Sequence, residues 1–412
     1  MYNSRALRLI LFFCLLFACI RVSAQDTLSQ ASVDEKSYRL YTNKNWAELI
    51  IYGNTALAKG IDYYYLRMRI GTAYYENKNY VKAAKNFEKA LKFNSGDADA
   101  LEYLYYCYIY TNQFEQARWL SKSFSKGVAK EMKTDSLAGV SFVLFEGGVR
   151  TSDSSTEFKP GYYGQLGLEH YVAKRFTLFH AVTYYNQKDF EGATSQFQYY
   201  LRGNIPLKND WEIAPAFQYI NRAYTPPPPL KIPPRRGQPP PADTIPPTTY
   251  YNYFIGSLAI KKTVSHIDFT LGTTLSKVYG NTQSLNYLTI NYYPFGWNKL
   301  DIGTTLYTHT ENSYSSTYFS YNPYISWQIV KPLSLTVSYL NNGNGANIIE
   351  YNGFIVNNST DLTTSRISGL LTVSAGKHLD IYGAYQNSTQ TQSTEGFIYH
   401  YNSFILGLII KP

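Results

Sequence analysis

Eight charged residues in the C-terminal part of the chain stand in segments where apolar and polar residues alternate: Glu169, Glu212, Asp268, Asp301, Asp380, Arg202, Arg222 and Arg366. Successive side chains of an extended segment point to opposite faces, so a charge set against an apolar series belongs to the polar face. The five acids fall within a few residues of short connections. Arg222 and Arg366 fall near long ones, and Arg202 lies nearer the short side, within reach of an acid. Lining a pore, such residues make one acidic mouth and one more basic mouth, which favours cations or neutral polar solutes at the acidic entrance. Lining a plugged interior, they pair with Arg and Lys instead. A second candidate set is aromatic. Tyr63, Tyr64, Tyr103, Tyr105 and Tyr106 lie in a helical segment and either line a groove for a peptide or glycan or pack between helices.

Catalytic and metal-binding patterns are missing from the sequence. The histidines are His170, His180, His266, His309, His378 and His400, and no two stand at metal-ligand spacing such as H-x-x-x-H. No G-x-S-x-G occurs, and Gly343-Asn344-Gly345 belongs to an Asn-rich loop. Of Cys14, Cys19 and Cys107 only the last lies outside the N-terminal apolar run, where it reads as a small buried hydrophobe. No enzyme, cofactor or metal is expected. A barrel-rim enzyme is the least favoured alternative, since it needs a few catalytic side chains gathered at one place.

The balance of residues narrows the class. Charged residues are 16% and aromatics 17% of 412, and 42 residues are Tyr. Mean hydropathy is −0.30, which excludes a bundle of membrane helices, and 44% hydrophobic content excludes a disordered chain. The net charge of +9 divides evenly, +3 each for residues 1–24, 25–136 and 137–412. With no basic patch, nucleic acid is not an expected partner.

The elements that position these residues follow in order. Arg5 and Arg8 precede the apolar run Leu9 to Ile20, and Val22-Ser23-Ala24 offers a cleavage site, so residues 1–24 read as a secretory signal peptide. The alternative is lipidation at Cys19, for which Phe17 is bulky and Arg21 an odd early residue. Residues 25–136 carry a helical repeat with a period of 34: Trp46, Tyr80 and Phe114; Ala83 and Ala117; Tyr74 and Tyr108; Ala56-Leu57 and Ala90-Leu91. The copy Ile70-Gly71, Tyr74, Tyr80, Ala83, Phe87, Ala90 resembles a tetratricopeptide repeat, which implies antiparallel helix pairs stacked into a scaffold with a concave face.

From Leu137 the period changes to two. Leu333, Leu335, Val337 and Tyr339 alternate with Ser334, Thr336 and Ser338. The spacing predicts 14 strands near 138–149, 161–172, 175–187, 193–205, 210–223, 250–261, 264–276, 283–294, 298–310, 316–329, 333–341, 362–374, 377–388 and 396–410, with 12 or 16 as neighbouring possibilities. Most run to about 12 residues, against about 5–6 in a soluble sandwich and about 9–11 for a bilayer-spanning strand. Connections after even-numbered strands are short, and those after odd-numbered strands are mostly longer, as in an outer-membrane barrel. An even count returns both barrel ends to the short-turn side, where the helical module must sit. The expected fold is therefore α+β and multidomain: a short α-helical module, then an antiparallel transmembrane β-barrel over 137–412. Tyr in such a barrel suits the two interfaces. Eleven of the 18 prolines lie between Pro226 and Pro247, so 225–249 reads as a stiff extracellular loop. The terminal alternation Phe404, Leu406, Leu408, Ile410 resembles the strand read by the barrel-assembly machinery.

Signal peptide, repeat module and barrel together resemble the YaiO-like outer-membrane family. The same order resembles exporters of cellulose and poly-N-acetylglucosamine, though with about three repeats rather than a long array. The resemblance implies a cell outer-membrane location, a periplasmic repeat domain, and transport or assembly of an envelope polymer, with glycan export expected. The alternative is a structural or docking protein whose repeats hold a periplasmic partner. Implied partners are outer-membrane lipid, the barrel-assembly machinery, and a periplasmic protein or glycan at the groove.

Overall fold

The computed structural model describes residues 28–111, 113–132, 134, 139–154, 158–172, 176–190, 192–207, 210–228, 246–264, 266–278, 281–295, 299–311, 317–342, 349–350, 355–356, 362–391 and 396–412. The expected signal peptide, Cys19 and most of the proline loop lie outside the described residues.

The helical part comprises α1 (Gln30–Thr42), α2 (Trp46–Ala58), α3 (Tyr64–Glu76), α4 (Tyr80–Phe93), α5 (Ala98–Tyr110), α6 (Phe114–Ser121) and α7 (Lys126–Glu131). The 34-residue period is carried in the backbone. Trp46, Tyr80 and Phe114 are the first residues of α2, α4 and α6. Just before them, the amides of Asn45, Asn79 and Gln113 donate to the carbonyls of Leu40, Tyr74 and Tyr108, closing the same turn three times. Lys44 and Lys78 take the left-handed backbone that this turn requires (φ 53° and 59°). Small residues let the helices approach, as Gly71 shows: a Cβ there would stand 2.7 Å from the Phe87 ring. Phe87, Ala83, Leu104 and Cys107 form the buried centre.

The barrel strands are β1 (Val140–Ser152), β2 (Gly161–Val172), β3 (Phe176–Asp189), β4 (Gly192–Pro206), β5 (Trp211–Thr225), β6 (Thr249–Val264), β7 (Ile267–Val278), β8 (Asn281–Tyr292), β9 (Leu300–Glu311), β10 (Thr317–Val330), β11 (Leu333–Asn341), β14 (Leu362–Ser374), β15 (Leu379–Thr391) and β16 (Ile398–Ile410). A two-residue pair, β12 (Ile349–Glu350) with β13 (Ile355–Val356), stands apart from the sheet. Each strand pairs antiparallel with its neighbours, and β1 pairs with β16, so the 14 strands close. The predicted strands match these elements one for one.

Alternation sorts the residues into two surfaces. Outward lie Phe145, Leu166, Phe217, Phe254, Leu271, Leu275, Ile325, Leu371, Phe404 and Leu406, all exposed. A closed barrel with an apolar outer belt is the arrangement in which strands satisfy their hydrogen bonds in lipid. Among the described residues no helix is long and apolar enough to cross a membrane. On the inner wall four glycines face tyrosines directly across the ladder: Gly148–Tyr163, Gly272–Tyr287, Gly303–Tyr324 and Gly407–Tyr382. Each ring lies over its glycine, where a Cβ would overlap it.

Candidate functional site

The helical module and the barrel lumen each supply a candidate. Between α1, α3 and α5 lies a cavity of about 560 Å³ lined by Tyr38, Tyr41, Tyr64, Tyr65, Met68, Arg69, Thr72, Tyr75, Asp99, Glu102, Tyr103 and Tyr106. Of the five tyrosines expected there, Tyr64, Tyr103 and Tyr106 line it. Residues three apart share a helix face, which joins Tyr103 to Tyr106 and turns Tyr105 away. Tyr105 instead meets Phe124 edge-on at 5.7 Å. Tyr63 precedes α3, and its hydroxyl donates to Asp34 at 3.0 Å. Tyr38 and Tyr41 come from α1, ahead of the first recognisable repeat copy, so the 34-residue pattern gave no signal for them.

Arg69 is held in place. Its guanidinium donates to Asp34 Oδ1 at 2.8 Å and to Ser37 Oγ at 2.8 Å, between the rings of Tyr38 and Tyr65. Burial raises the Tyr64 hydroxyl pKa above its ordinary value, and Asp97 and Asp99 add to it. Burial likewise raises Tyr75, Tyr103 and Tyr106. These phenols therefore stay protonated and keep their donors. Rings with polar edges, one anchored guanidinium and two carboxylates make a surface that stacks and hydrogen-bonds; it offers no nucleophile beside a base.

The register places all eight charged barrel residues on the inner surface. Near the short connections, Arg202 lies 3.9 Å from Glu169 and Lys261 lies 3.9 Å from Glu212, while Lys411 pairs with Asp380. Asp268 and Asp301 accept from the hydroxyls of Tyr293 and Tyr324 at 3.0 Å each. Toward the other end, Arg222 donates to Thr194 at 3.2 Å, and Arg366 stands opposite Ser388 in the ladder. Sequence reasoning missed Glu146, whose carboxylate takes the hydroxyls of Tyr163 (2.8 Å) and Tyr382 from strands on either side of the β1–β16 closure. It follows outward Phe145, but Leu144 before it and Gly147-Gly148 after it interrupt the apolar–polar alternation that would have revealed its face.

Beyond Glu146 the lumen is filled. Ile220, Ile255, Leu285 and Leu340 pack inward with Tyr253 and Tyr307, none more than 5% exposed. Inward Gln218, Thr274, Ser320 and Gln390 are each 1% exposed. These side chains pack together in the half of the lumen away from the short connections, while the mouth beside the short connections carries the paired charges. The helical module meets the barrel on the short-connection side, where the Arg118 guanidinium of α6 lies 3.0 Å from the centre of the Tyr171 ring.

No protein-family model matches the chain, and no curated protein does. Solved structures are similar to it over about two thirds of its length. The CymD monoaromatic hydrocarbon channel shares 7% identity, covering 68% of this chain and 90% of that one, with a TM-score of 0.44. The outer membrane protein Omp33 of Acinetobacter baumannii shares 6% identity, covering 66% and 99%, with a TM-score of 0.37. A bacterial polysaccharide outer membrane secretin shares 7% identity, covering 66% and 99%, with a TM-score of 0.38. Likenesses this distant are of barrel form alone.

Proposed function

We propose that this chain is an outer-membrane protein that handles an envelope glycan, with the barrel as its membrane anchor and the helical module as a periplasmic scaffold of tetratricopeptide type. The observation that carries the reading is the tyrosine groove. Its lining holds one Met and no Leu, Ile or Val, so it lacks the apolar pocket that an anchoring peptide side chain needs. Phenol faces stack on the CH faces of sugars, and the phenol edges, Asp99 and Glu102 hydrogen-bond their hydroxyls. The filled outer lumen favours holding or assembly of the polymer over a standing pore, and export then requires the packed layer to move. The alternating β16 suits recognition by the barrel-assembly machinery. The full chain in detergent, titrated calorimetrically with cello- and chito-oligosaccharides, tests the reading. Tyr65→Ala with Tyr106→Ala is expected to weaken binding at least tenfold, about 1.4 kcal/mol. Equal affinity in wild type and variant, or no binding of either sugar, would sink it.

A further inference from the structure

Two patches on the outward wall of the barrel are built alike. In one, Tyr219 and Asn221 of β5 stand opposite Phe254 and Asn252 of β6. In the other, Tyr385 and Asn387 of β15 stand opposite Phe404 and Asn402 of β16. The chain thus spells Tyr-x-Asn on the first strand and Asn-x-Phe on the second, twice.

The geometry repeats with the spelling. The Tyr219 hydroxyl donates to Asn252 Oδ1 at 2.6 Å, and Asn221 Nδ2 donates to the same oxygen at 2.8 Å. The Tyr385 hydroxyl donates to Asn402 Oδ1 at 2.6 Å, and Asn387 Nδ2 donates to it at 2.9 Å. The rings below meet at 5.3 Å and 38° in the first patch and at 5.2 Å and 46° in the second. Phe254 and Phe404 are 58% and 52% exposed. Six strands separate the patches one way around the barrel and four the other. Weaker copies put Ser195 opposite Asn186, beside Tyr184 and Phe197, and Ser365 opposite Asn341, beside Tyr339 and Ile367.

An interfacial tyrosine needs only water at its hydroxyl. A pair of amides on the same wall is costly against acyl chains and adds nothing to a simple girdle. In both patches the asparagines lie toward the loop ends of their strands and the rings toward the middle of the belt. With one Oδ1 taking two donors, the Oδ1 of Asn221 or Asn387 and the Nδ2 of Asn252 or Asn402 stay available, an acceptor beside a donor. That pairing fits neighbouring hydroxyls or an acetamide of a sugar. None of these eight residues is Lys or Arg, so phosphate is not what they read.

The geometry points to two equivalent subsites for the sugar headgroup of a glycolipid in the outward-facing leaflet, its acyl chain lying on the Tyr–Phe pair. Continuity with the apolar belt fixes the occupant as a lipid rather than a free glycan. The inference rests on the outer-membrane reading above.

The test is flotation of the full chain with phosphatidylcholine vesicles containing either a rough-type lipopolysaccharide or phosphatidylglycerol, then native mass spectrometry of the extracted protein. Wild type is expected to keep two glycolipids and no phosphatidylglycerol, Asn387→Leu one, and Asn221→Leu with Asn387→Leu none. Protein that floats but keeps no glycolipid, keeps the same number in the variants, or keeps phosphatidylglycerol equally overturns the subsites alone. Protein that floats with neither vesicle overturns the membrane reading as well. If Asn387→Leu fails to close its barrel, Asn402→Ser copies the weaker patch at Ser195. Loss of one glycolipid then supports the subsites, and retention of both overturns them.

Discussion

The helical module and the barrel are both rich in tyrosine and use it in opposite ways. In the module, Tyr64, Tyr75, Tyr103 and Tyr106 converge on one cavity open to solvent. In the barrel, Tyr163, Tyr287, Tyr324 and Tyr382 each lie over a glycine across the ladder. The difference follows from the period. A helix returns a side chain to the same face every three or four residues, so neighbouring helices gather rings into a patch. A strand sends alternate residues inward around a closed wall, which spreads the rings and leaves each to find its own partner. One composition thus yields a shared cavity in one region and ring-on-glycine wall packing in the other.

The sharpest way to separate the regions is to break the module alone. Phe87 is fully buried and stacks on Tyr103 at 5.0 Å. Phe87→Ala is expected to destabilise the module by about 3–5 kcal/mol, which circular dichroism at 222 nm reads. The heat-modified gel mobility of the barrel should not change. Loss of both signals together would mean that the two regions fold as one unit. The reciprocal change is Gly407→Ala. A Cβ there overlaps the Tyr382 ring, so the ring must swing off Glu146. Overpacking of this kind costs about 1–3 kcal/mol, measured by urea unfolding in detergent with the module's transition unmoved.

The filled lumen yields a smaller and more conditional effect. Leu285→Ala with Leu340→Ala removes two members of the packed layer. Planar-bilayer recording should show the wild type closed and this variant conducting. Only in the opened variant should reversing Asp268, Asp301 and Asp380 to Lys move selectivity away from cations. Steady conductance in wild type would show that the layer does not close the barrel in a bilayer.

Much of this architecture was legible in the sequence because its rules are local. Hydrophobic alternation and connection length located all 14 strands, and the same parity assigned faces to Asp268 and Arg366. Contacts set by register were not legible. Glu146 meets Tyr382 across 236 residues, at the closure where the first strand joins the last. His170 and His180, ten residues apart with no ligand spacing, come within 3.1 Å because β2 and β3 pair. The apolar packing inside the lumen was not legible either. Ile220, Leu285 and Leu340 are apolar residues on the wall that alternation assigns to polar groups, so a rule that equates the apolar face with lipid passes over them. In the module, the repeat located the helices, but Tyr38 and Tyr41 of the groove precede it.

The smallest expected effect lies where the two regions meet, and its sign is fixed. Glu88 of α4 accepts from the Tyr108 hydroxyl of α5 at 2.8 Å. Burial raises its pKa above the ordinary 4.5; the Tyr108 hydrogen bond lowers it, Asp210 of the β4–β5 turn raises it, and Lys85 and Lys92 lower it. Burial raises Asp210 too, against the lowering pull of Lys262 and Lys85. A carboxyl whose pKa is higher folded than unfolded stabilises the fold while protonated. That contribution is whole below the unfolded value and is lost as pH rises through the folded one. The module should therefore melt at a higher temperature near pH 4 than near pH 7, apart from slopes due to other groups. Glu88→Gln holds the neutral form and should flatten that slope. Asp210→Asn, made in the barrel, should flatten it less, by removing one carboxylate that faces Glu88. If Asp210→Asn leaves the module's pH profile untouched while Glu88→Gln flattens it, burial within α4 and α5 carries the whole effect and the two regions titrate independently.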